Sequence, residues 1–399
     1  MRRPLEGITV VGLEQVIAGP FCTRQLAELG ARVIKLERPG GGDAARGYDH
    51  TVKGQSSHFV WVNRSKESLA IDVKRPEARA VLERLLLGAD VFVQNLAPGA
   101  AERLGLGSAQ LRAKNPRLVW CGISGYGPAG PYAGKKAYDL LVQCEAGLLS
   151  VTGTPEQPAK AGIPVADIAA GMYALSSILA ALYRREATGA GATLDITMFE
   201  SLGEWMGFPA HFTAFGGEAP PRSGAHHATI VPYGPFKAGA GGTVFLSIQN
   251  EREFERFCDG VLSNPGLKID PRFSSGPARA SHRNAMHTEI EKIFLKLTAE
   301  EILQRLENAG IANARLNSMQ EFWDHPQLEA RDRWREVDTP GGTIEAMKPP
   351  FNLDGFEPRM DAVPALGAHS RAILAELGFA PGEIQQMVEN GVIQHGGAP

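Results

Sequence analysis

Short apolar runs and helical patterns alternate along the first 160 residues of the chain. The runs Ile8–Leu13 and Val33–Glu37 are rich in β-branched residues and have the length of buried strands. Between them, a helical pattern extends from about Pro20 to Leu29 and is followed by Gly30, a residue typical of helix C-termini. This order predicts a βαβ unit, and its continuation through SLAID, PEARAVLERLLLGADVFVQNL and RLVWCGISGYG predicts a parallel sheet covered by helices.

A longer helical pattern follows in the segment GIPVADIAAGMYALSSILAALYRR, which begins at Gly162. Its large apolar residues recur at spacings of three and four, which predicts a helix with a wide buried face. These residues are Ile168, Met172, Leu175, Leu179 and Leu182. The next segment, TLDITMFESLGEWM, predicts a strand that leads into another helix.

The polar and Gly/Pro-rich stretch FGGEAPPRSGAHHATIVPYGPF indicates a passage into a second domain. Beyond it, YGPFKAGAGGTVFLSI predicts a hairpin and HTEIEKIFLKLTAEEILQRLENAG is helical. From about Asp338 the pattern is β-like again, and the chain finishes with the helix SRAILAELG. We predict a large α/β domain from residues 1–215 and 336–399, with a smaller α+β domain at residues 216–335.

Composition and charge narrow the class of protein. An apolar content of 43% and a net charge of −3 indicate a soluble globular protein without the basic surface of a nucleic-acid-binding protein. No uninterrupted apolar run approaches the roughly 18 residues of a membrane span, and MRRPLEGITVV lacks a signal-peptide core, so we expect a cytoplasmic protein without a membrane partner. The four cysteines are scattered without metal-ligand spacing, which predicts buried free thiols and no zinc site.

Asp167 is the exception in the apolar helix that follows Gly162. A carboxylate at the start of a helix can cap the free N–H groups of the first turn, and it suits the positive end of the helix dipole. It can also act as a nucleophile. The segment by itself leaves both interpretations open.

Several cations fall where the predicted strands give way to loops. The turn GLEQVIAGP after the first strand lacks G-x-G-x-x-G, which argues against an NAD enzyme. Ligands of open α/β sheets bind beyond the carboxyl ends of the strands, so cations in these loops would converge on one crevice. Each cation alone is as consistent with a solvated surface charge, but together they indicate a polyphosphate ligand. The cations are Arg38, Lys66, Lys74, Arg103, Lys135 and Lys136.

Motifs distributed over nearly the whole chain resemble the class III CoA-transferase family, also called the formyl-CoA transferase or carnitine-CoA transferase type. They include GLEQVIAGPF, LGARVIKLERPGGGD, NRSKESLAIDVK, VQNLAPGAAERLGLG, KKAYDLL, VADIAAGMY and PALGAHSRAILAELG. The resemblance implies a Rossmann-like large domain, a smaller domain and an interlocked homodimer. Acyl-CoA and a free carboxylic acid would be its partners. It implies no metal and no permanently bound cofactor, with coenzyme A as a substrate.

The same resemblance assigns roles to individual residues. Asp167 matches the nucleophile, which forms a mixed anhydride and then a thioester with CoA. The backbone at Ile17 and Ala18 would lie beside it and supply oxyanion donors, and Tyr138 and Asp139 match a pair that adjoins it. The positions that hold CoA in the family correspond to Arg38, Lys74, Asn95, Leu96, Arg103 and Lys136.

Two departures from the family patterns bear on the reaction. The related α-methylacyl-CoA racemases carry a His where this chain has Tyr138, and tyrosine is a poor base at neutral pH, which favours a transferase over an isomerase. Formyl-CoA transferase has a long glycine loop, whereas this chain has the shorter GGEAPPRSGAHHATI. A CoA-binding protein without catalysis remains a third alternative.

The substrate branch that the chain most resembles acts on C4–C5 dicarboxylates, with succinyl-CoA and itaconate, mesaconate, malate, citramalate or glutarate. The distal carboxylate of such an acid needs a cation or several donors near the acyl end. The candidates in the sequence are Arg46 in GDAARGYD, and Arg222, His226 and His227 in PRSGAHHATI.

Overall fold

The computed structural model describes residues 2–239 and 241–396, and the chain divides into two compact units. Unit 1 contains the residues up to Ala146, the segment Ala161–Met206 and the residues from Ala330 onwards. Unit 2 contains Gly147–Lys160 and Gly207–Glu329.

Twelve strands lie in the described residues. They are β1 (Thr9–Leu13), β2 (Arg32–Glu37), β3 (Lys66–Ile71), β4 (Val91–Gln94), β5 (Val119–Ser124), β6 (Thr193–Thr197), β7 (Tyr233–Lys237), β8 (Thr243–Ser247), β9 (Ala312–Arg315), β10 (Trp334–Val337), β11 (Ile344–Met347) and β12 (Ile393–Gln394).

Eighteen α-helices lie in the same residues. They are α1 (Ala18–Glu28), α2 (Ser57–Asn63), α3 (Ala78–Leu87), α4 (Ala100–Arg103), α5 (Ser108–Lys114), α6 (Asp139–Glu145), α7 (Leu148–Val151), α8 (Val165–Thr188), α9 (Met198–Trp205), α10 (Gly207–Gly216), α11 (Glu251–Arg256), α12 (Gly276–Ser281), α13 (Arg283–Phe294), α14 (Ala299–Asn308), α15 (Met319–Trp323), α16 (Pro326–Ala330), α17 (Ser370–Glu376) and α18 (Pro381–Glu389). Short 3-10 turns at Ala44–Gly47 and Pro265–Lys268 and a π turn at Phe257–Val261 complete the helical elements.

Unit 1 is built on a seven-stranded sheet in the order β12-β3-β2-β1-β4-β5-β6. All neighbouring pairs are parallel except β12, which runs antiparallel to β3. The order 3-2-1-4-5-6 is that of the doubly wound Rossmann sheet, which confirms the predicted parallel α/β architecture. Val10 and Val11 of β1 enter different hydrophobic clusters because successive side chains of a strand point to opposite faces.

Unit 2 has its own hydrophobic core. The strands β7 and β8 pair as the antiparallel hairpin that the sequence predicts, and β9 joins β8 to complete a three-stranded sheet. The predicted helical segment after His287 forms the end of α13 and all of α14. Phe236, Phe257 and Phe294 are fully or almost fully buried in this core.

The units divide the chain differently from the predicted domains. Gly207–Gly216 belongs to unit 2, although we expected the small domain to begin at residue 216. The segment Gly147–Lys160 also belongs to unit 2, because Gly224 donates from its N–H to the carbonyl of Gly153 at 2.8 Å and Arg222 donates to carbonyls nearby. This pairing joins residues about 70 positions apart, and the local pattern carries no signal for it.

The long helix α8 buries part of the face that we predicted, since Leu175 and Leu182 are buried and Ile168 and Leu179 are half-buried. Its buried residues are mostly small, including Ala169, Ala170, Ala174 and Ala181, whereas Met172 is 40% exposed. By length and composition α8 could cross a membrane, contrary to our reading of the sequence, but half of its apolar window is buried in unit 1. There it packs in one core cluster with α1 and the central strands, in the manner of a core helix.

Three of the four cysteines are buried, as we predicted. Cys144 is the exception and is exposed on α6. All four thiols are free, and the described residues contain no group of His, Cys, Asp and Glu side chains that could hold a metal ion.

Candidate active site

The N-terminus of α1 lies close against α8, one helical turn beyond Asp167. A Cβ atom placed on Gly171 would lie 2.8 Å from the carbonyl oxygen of Ala18 and 3.0 Å from Cδ1 of Phe21. Only a residue without a side chain allows this approach. Because positions 167 and 171 of a helix lie on one face, the structure places Asp167 and the start of α1 side by side.

Asp167 occupies the third position of α8 and is not its cap. The cap position is Pro164, which offers no side-chain acceptor. Within the described residues, no hydrogen bond or ion pair joins the Asp167 carboxylate. Burial, with a smaller contribution from the charge of Asp139, raises its pKa to about 7. Asp167 is therefore a poorly solvated carboxylate that is more basic than an ordinary aspartate.

Asp139 performs the capping role that we considered for Asp167. It opens α6, and its carboxylate accepts a hydrogen bond from the N–H of Ala166 in the first turn of α8 at 2.8 Å. It also accepts from the side-chain amide of Gln143 at 2.6 Å. Tyr138, immediately before it, is 69% exposed, so its phenol is accessible to a substrate.

The turn between β1 and α1 is held in an unusual conformation. Val16 has φ 63°, in the left-handed region that β-branched residues rarely adopt. The side-chain amide of Asn95 accepts from the N–H of Gln15 and donates to its carbonyl, both at 2.8 Å. Asp43 accepts from the N–H of Val16 at 3.0 Å. The side chain of Asn95, directly after β4, and that of Asp43, in the loop after β2, therefore hold Gln15 and Val16.

This turn leaves the first N–H groups of α1 without partners. In a helix these donors have no intrahelical acceptor, and in the described part of the chain those of Ala18 and Gly19 have no other. A Cβ atom on Gly19 would lie 2.9 Å from the Cβ of Glu14, so the glycine is needed for the close turn. The N–H of Ile17, which we predicted with that of Ala18 as an oxyanion donor, likewise has no acceptor in the described residues. Free backbone donors within one helical turn of a carboxylate form an arrangement suited to an oxyanion.

Charged side chains are buried beneath the turn. Lys66 donates to Glu14 at 2.8 Å, to the carbonyl of Pro20 and to Asn63. Lys35 pairs with Asp43 at 2.8 Å and donates to the carbonyl of Glu14. We predicted Lys66 as a cation facing the crevice, and this was wrong, since the side chain is fully buried. The local pattern of β3 did not reveal that a carboxylate lies opposite it.

Arg46 is also held by a buried carboxylate. Its Nε and Nη2 atoms donate to the two oxygens of Glu37 at 2.8 Å each, and Nη2 also donates to the carbonyl of Pro364. The guanidinium lies 3.7 Å from the centre of the Phe59 ring. Two of its three nitrogens are thus occupied within the protein, which corrects our expectation that Arg46 faces the distal carboxylate of a substrate.

Two of the predicted CoA-binding cations line one cavity of about 420 Å³ in unit 1. Lys74 and Arg103 are among its lining residues, and no ion pair with a carboxylate joins either of them in the described residues. Arg79 and Arg75 line the same cavity and were not singled out from the sequence. Its apolar wall consists of leucines, including Leu82, Leu86, Leu104 and Leu111. Glu83 also lines the cavity but is paired with Lys114, so free cations beside an apolar wall remain, which suits a phosphorylated nucleotide.

The other predicted CoA residues lie outside the lining of this cavity. Arg38 and Lys136 are exposed, while Leu96 is half-buried against the core. Asn95 is occupied by Gln15, as described above. Lys135 is paired with Glu145 and lies 4.0 Å from the centre of the Tyr132 ring, so it has a local structural role.

His226 and His227 belong to unit 2, where their side chains have structural contacts. The Nδ1 atom of His227 accepts from the N–H of Ile230 at 3.0 Å, and its ring stacks on Tyr233. His226 packs against His287 with ring centres 4.5 Å apart. Burial and the charge of Arg283 lower the pKa of both His226 and His227. A pair of histidines that stays neutral near pH 7 is a weaker partner for a carboxylate than we expected.

Comparison with known proteins was made for sequence and for structure. A family model described as CoA-transferase family III matches residues 5–370. A succinate–glutarate CoA-transferase of Agrobacterium fabrum is 33% identical over 94% of this chain and 96% of its own length. An acetyl-CoA:oxalate CoA-transferase of Acetobacter aceti is 36% identical, covering 82% of this chain and 85% of the relative. The crystal structure of a CAIB/BAIF family protein from Brucella suis superposes with a TM-score of 0.83 at 31% identity, covering 94% of this chain and all of that one.

Proposed function

The chain belongs to CoA-transferase family III and is a CoA-transferase, and on this premise we propose that it moves CoA from succinyl-CoA to a short dicarboxylic acid. Asp167 is the covalent nucleophile of this proposal. The acceptor is a C4–C5 acid such as glutarate, itaconate, mesaconate, malate or citramalate. The name of the succinate–glutarate relative supports the donor and the acid class.

The observation that carries the proposal is the state of Asp167. It is an unpaired carboxylate with a pKa of about 7, next to two backbone N–H groups that have no acceptor within the described residues. A carboxylate that needs no structural partner is free to attack, and its raised basicity makes it a better nucleophile than a solvated aspartate. The donors at Ala18 and Gly19 would stabilise the oxyanion that forms at each acyl transfer.

The proposed reaction is a series of acyl transfers between CoA, Asp167 and the two acids. An oxygen of Asp167 attacks the thioester carbonyl of the donor, the C–S bond breaks, and a mixed anhydride and CoA thiolate result. The thiolate attacks the aspartyl carbonyl, the donor acid leaves as a carboxylate, and CoA is now bound to Asp167 as a thioester. The incoming acid attacks this thioester and restores an anhydride with thiolate release. Attack of the thiolate on the substrate carbonyl then yields the new acyl-CoA and free Asp167.

The cavity with Lys74, Arg79 and Arg103 is the part of unit 1 that we assign to the nucleotide end of CoA. Its cations match phosphate groups and its leucine wall matches an adenine ring. Arg38 and Lys136, which are exposed and outside this lining, remain assigned to CoA as further cations on the family resemblance.

We also propose that the enzyme is a cytoplasmic homodimer. Large apolar side chains are exposed on both units, including Tyr183 on α8, Trp205 on α9 and Phe215 on α10. Such exposed aromatic side chains support contact with a second copy of the chain. The interlocked arrangement of the protomers rests on the family resemblance.

The proposal is tested by trapping the intermediate. Incubation with succinyl-CoA in the absence of an acceptor should leave CoA bound to Asp167, and hydroxylamine should convert this thioester to the hydroxamate. Peptide mapping that places the adduct on another residue, or finds none in an active preparation, would refute the mechanism. A screen of free acids against succinyl-CoA, read by mass spectrometry of new CoA esters, identifies the acceptor.

A further inference from the structure

The start of α8 has no cap of its own. Its cap position is Pro164, which offers no side-chain acceptor, and the N–H of Ala166 in the first turn donates to the carboxylate of Asp139 instead. Asp139 opens another helix, α6, so the first turn of α8 is held by a side chain from outside the helix. A group that fixes Asp139 therefore also fixes the residue directly before Asp167.

Gln143 binds the second oxygen of Asp139. The Nε2 atom of Gln143 donates to Oδ2 of Asp139 at 2.6 Å, while Oδ1 accepts from the N–H of Ala166 at 2.8 Å. Asp139 and Gln143 are four positions apart in α6, so their side chains lie on one face of that helix. Each oxygen of the carboxylate is thus bonded to a different helix, and this holds the carboxylate in one orientation.

The same amide anchors the segment that leads into α8. The Oε1 atom of Gln143 accepts from the N–H of Ala161 at 2.9 Å. A backbone N–H can only donate, so this bond fixes the amide with its oxygen toward Ala161 and its nitrogen toward Asp139. The segment 161–166 is therefore attached at both ends, at Ala161 to Gln143 directly and at Ala166 to Gln143 through Asp139.

Gln143 is fully buried, whereas two apolar residues of the same helix, Leu140 and Leu141, are 43% and 49% exposed. Burying an amide costs free energy unless its polar atoms are hydrogen-bonded. Gln143 meets this condition, because its oxygen and its nitrogen both have partners. The helix α6 thus turns a polar side chain inward, and the hydrogen bonds of that side chain lead to the start of α8.

We propose that Gln143 is a positioning residue for CoA transfer, which holds the first turn of α8 so that Asp167 lies beside the start of α1. The inference rests on the proposed function, since it takes Asp167 as the nucleophile. Asp167 follows Ala166 directly, and Gly171, one turn later, packs against the carbonyl of Ala18. A displacement of about 1 Å between reacting groups can cost on the order of 100-fold in rate. Loss of the Gln143 bonds should therefore slow acyl transfer without weakening CoA binding.

An exchange of the amide and the carboxylate tests the inference. In Gln143→Glu a carboxylate meets that of Asp139 with no donor between them, so we expect kcat to fall about 10- to 100-fold, with the Kd for CoA within about twofold of wild type. The double variant Asp139→Asn with Gln143→Glu conserves the net charge and can form all three hydrogen bonds. Its new amide nitrogen donates to the new carboxylate, while the amide oxygen accepts from Ala166 and the carboxylate from Ala161. We expect it to recover at least about tenfold in kcat over Gln143→Glu and to exceed Asp139→Asn alone.

Ser370→Ala is the matched control for stability. The buried hydroxyl of Ser370 also joins distant parts of unit 1, since it accepts from the N–H of Ala70 at 3.1 Å and donates to the carbonyl of Gln394 at 2.6 Å. Its comparison is Gln143→Met, which removes both bonds without adding a charge and also serves if Gln143→Glu does not fold. Both variants should lower the urea midpoint of unfolding, but only Gln143→Met should lower kcat. A kcat that falls equally in both would show that Gln143 has only a structural role.

Two further results would overturn the inference. One is a kcat of Gln143→Glu within about twofold of wild type, and the other is a double variant that is no faster than Gln143→Glu. Failure of the proposed function gives a different signature. Hydroxylamine trapping that finds no adduct on Asp167 in active wild-type protein refutes the nucleophile, whereas an adduct that forms at the wild-type rate in Gln143→Glu refutes only the role of Gln143.

Discussion

Two neighbouring regions of unit 1 use their carboxylates in opposite ways. Beneath the turn between β1 and α1, Glu14, Glu37 and Asp43 are fully buried, and each is paired with a lysine or an arginine. At the start of α8, Asp167 has no partner within the described residues and a raised pKa. The first region holds the backbone in place, and the second keeps a carboxylate that can react. A buried charge with partners is structural, and a buried charge without partners is a functional candidate.

The sharpest test of this difference is Asp167→Ala. We expect transfer to fall by at least about 10³-fold, because the covalent route disappears, while the protein folds and binds CoA. The adjoining Asp139→Asn variant is the matched control, since it keeps an acceptor for the N–H of Ala166 and should retain measurable transfer. Steady-state rates and calorimetric CoA binding provide the measurement, and near-normal turnover by Asp167→Ala would end the assignment.

Breaking the paired region should cost stability. Lys66→Met leaves the buried Glu14 with the hydroxyl of Thr23 and with Lys35, at 3.6 Å, as its nearest cation, and we expect a loss of about 3–5 kcal/mol in the free energy of unfolding. The double variant Glu14→Leu with Lys66→Met removes both charges and should lose clearly less. Urea unfolding of the four proteins in this cycle measures the coupling. Equal losses in the single and double variants would show that the charge pair is not what matters.

Asn95 lies on the border between the two regions. Because its amide is used by Gln15, Asn95→Ala should release the turn before α1 and lower kcat about 10- to 100-fold, with an unchanged Kd for CoA. Arg103→Ala is the comparison, because it should raise the Kd for CoA and leave kcat less affected. If Asn95→Ala weakens CoA binding as Arg103→Ala does, the family assignment of Asn95 to CoA holds instead.

The smallest expected effect is on stability at Asp167 itself. Its pKa is about 7 in the folded protein, against 3.8 for an ordinary aspartate, so the fold favours the protonated form. The contribution of protonated Asp167 to the stability of the folded protein is complete below pH 4 and is lost as pH rises through 7. Asp167→Asn should therefore exceed the wild type in the free energy of unfolding by about 1–2 kcal/mol at pH 8. The difference is this small because water reaches part of the Asp167 side chain and screens its charge. At pH 4 the two proteins should be equal, and a constant difference would contradict the raised pKa.

The sequence predicted the features that depend on local pattern. The βαβ start, the strand before α9, the β7–β8 hairpin and the helix with Asp167 all follow from hydrophobic period and turn residues. Helix ends differ from the predictions by one or two residues, as for α1 at Ala18–Glu28. These elements are specified by residues adjacent in the chain, which explains why they could be predicted.

The predictions failed where partners come from distant positions. We interpreted Lys66 as an accessible cation, but it is buried and paired with Glu14, 52 positions away and directly after β1. Arg46 pairs with Glu37, only nine positions away, because the loop after β2 folds back onto the end of that strand. The face of α8 was predicted only in part: Leu175 and Leu182 are buried as expected, but the small residues around Gly171, where α1 packs closely, carried no hydrophobic signal.

The edge of the large sheet has a consequence for how the protein is made. The strand β3 is covered by β12 and by the side chains of His369 and Ser370, and the N–H of Ser68 and its acceptor His369 are 301 positions apart. At a synthesis rate of roughly 5–20 residues per second, the nascent chain presents this edge for about 15–60 s before its cover is translated. An uncovered parallel edge is a template for wrong pairing. The β3 edge of the sheet is therefore completed last, and a ribosome-bound chaperone would have its greatest effect in that interval.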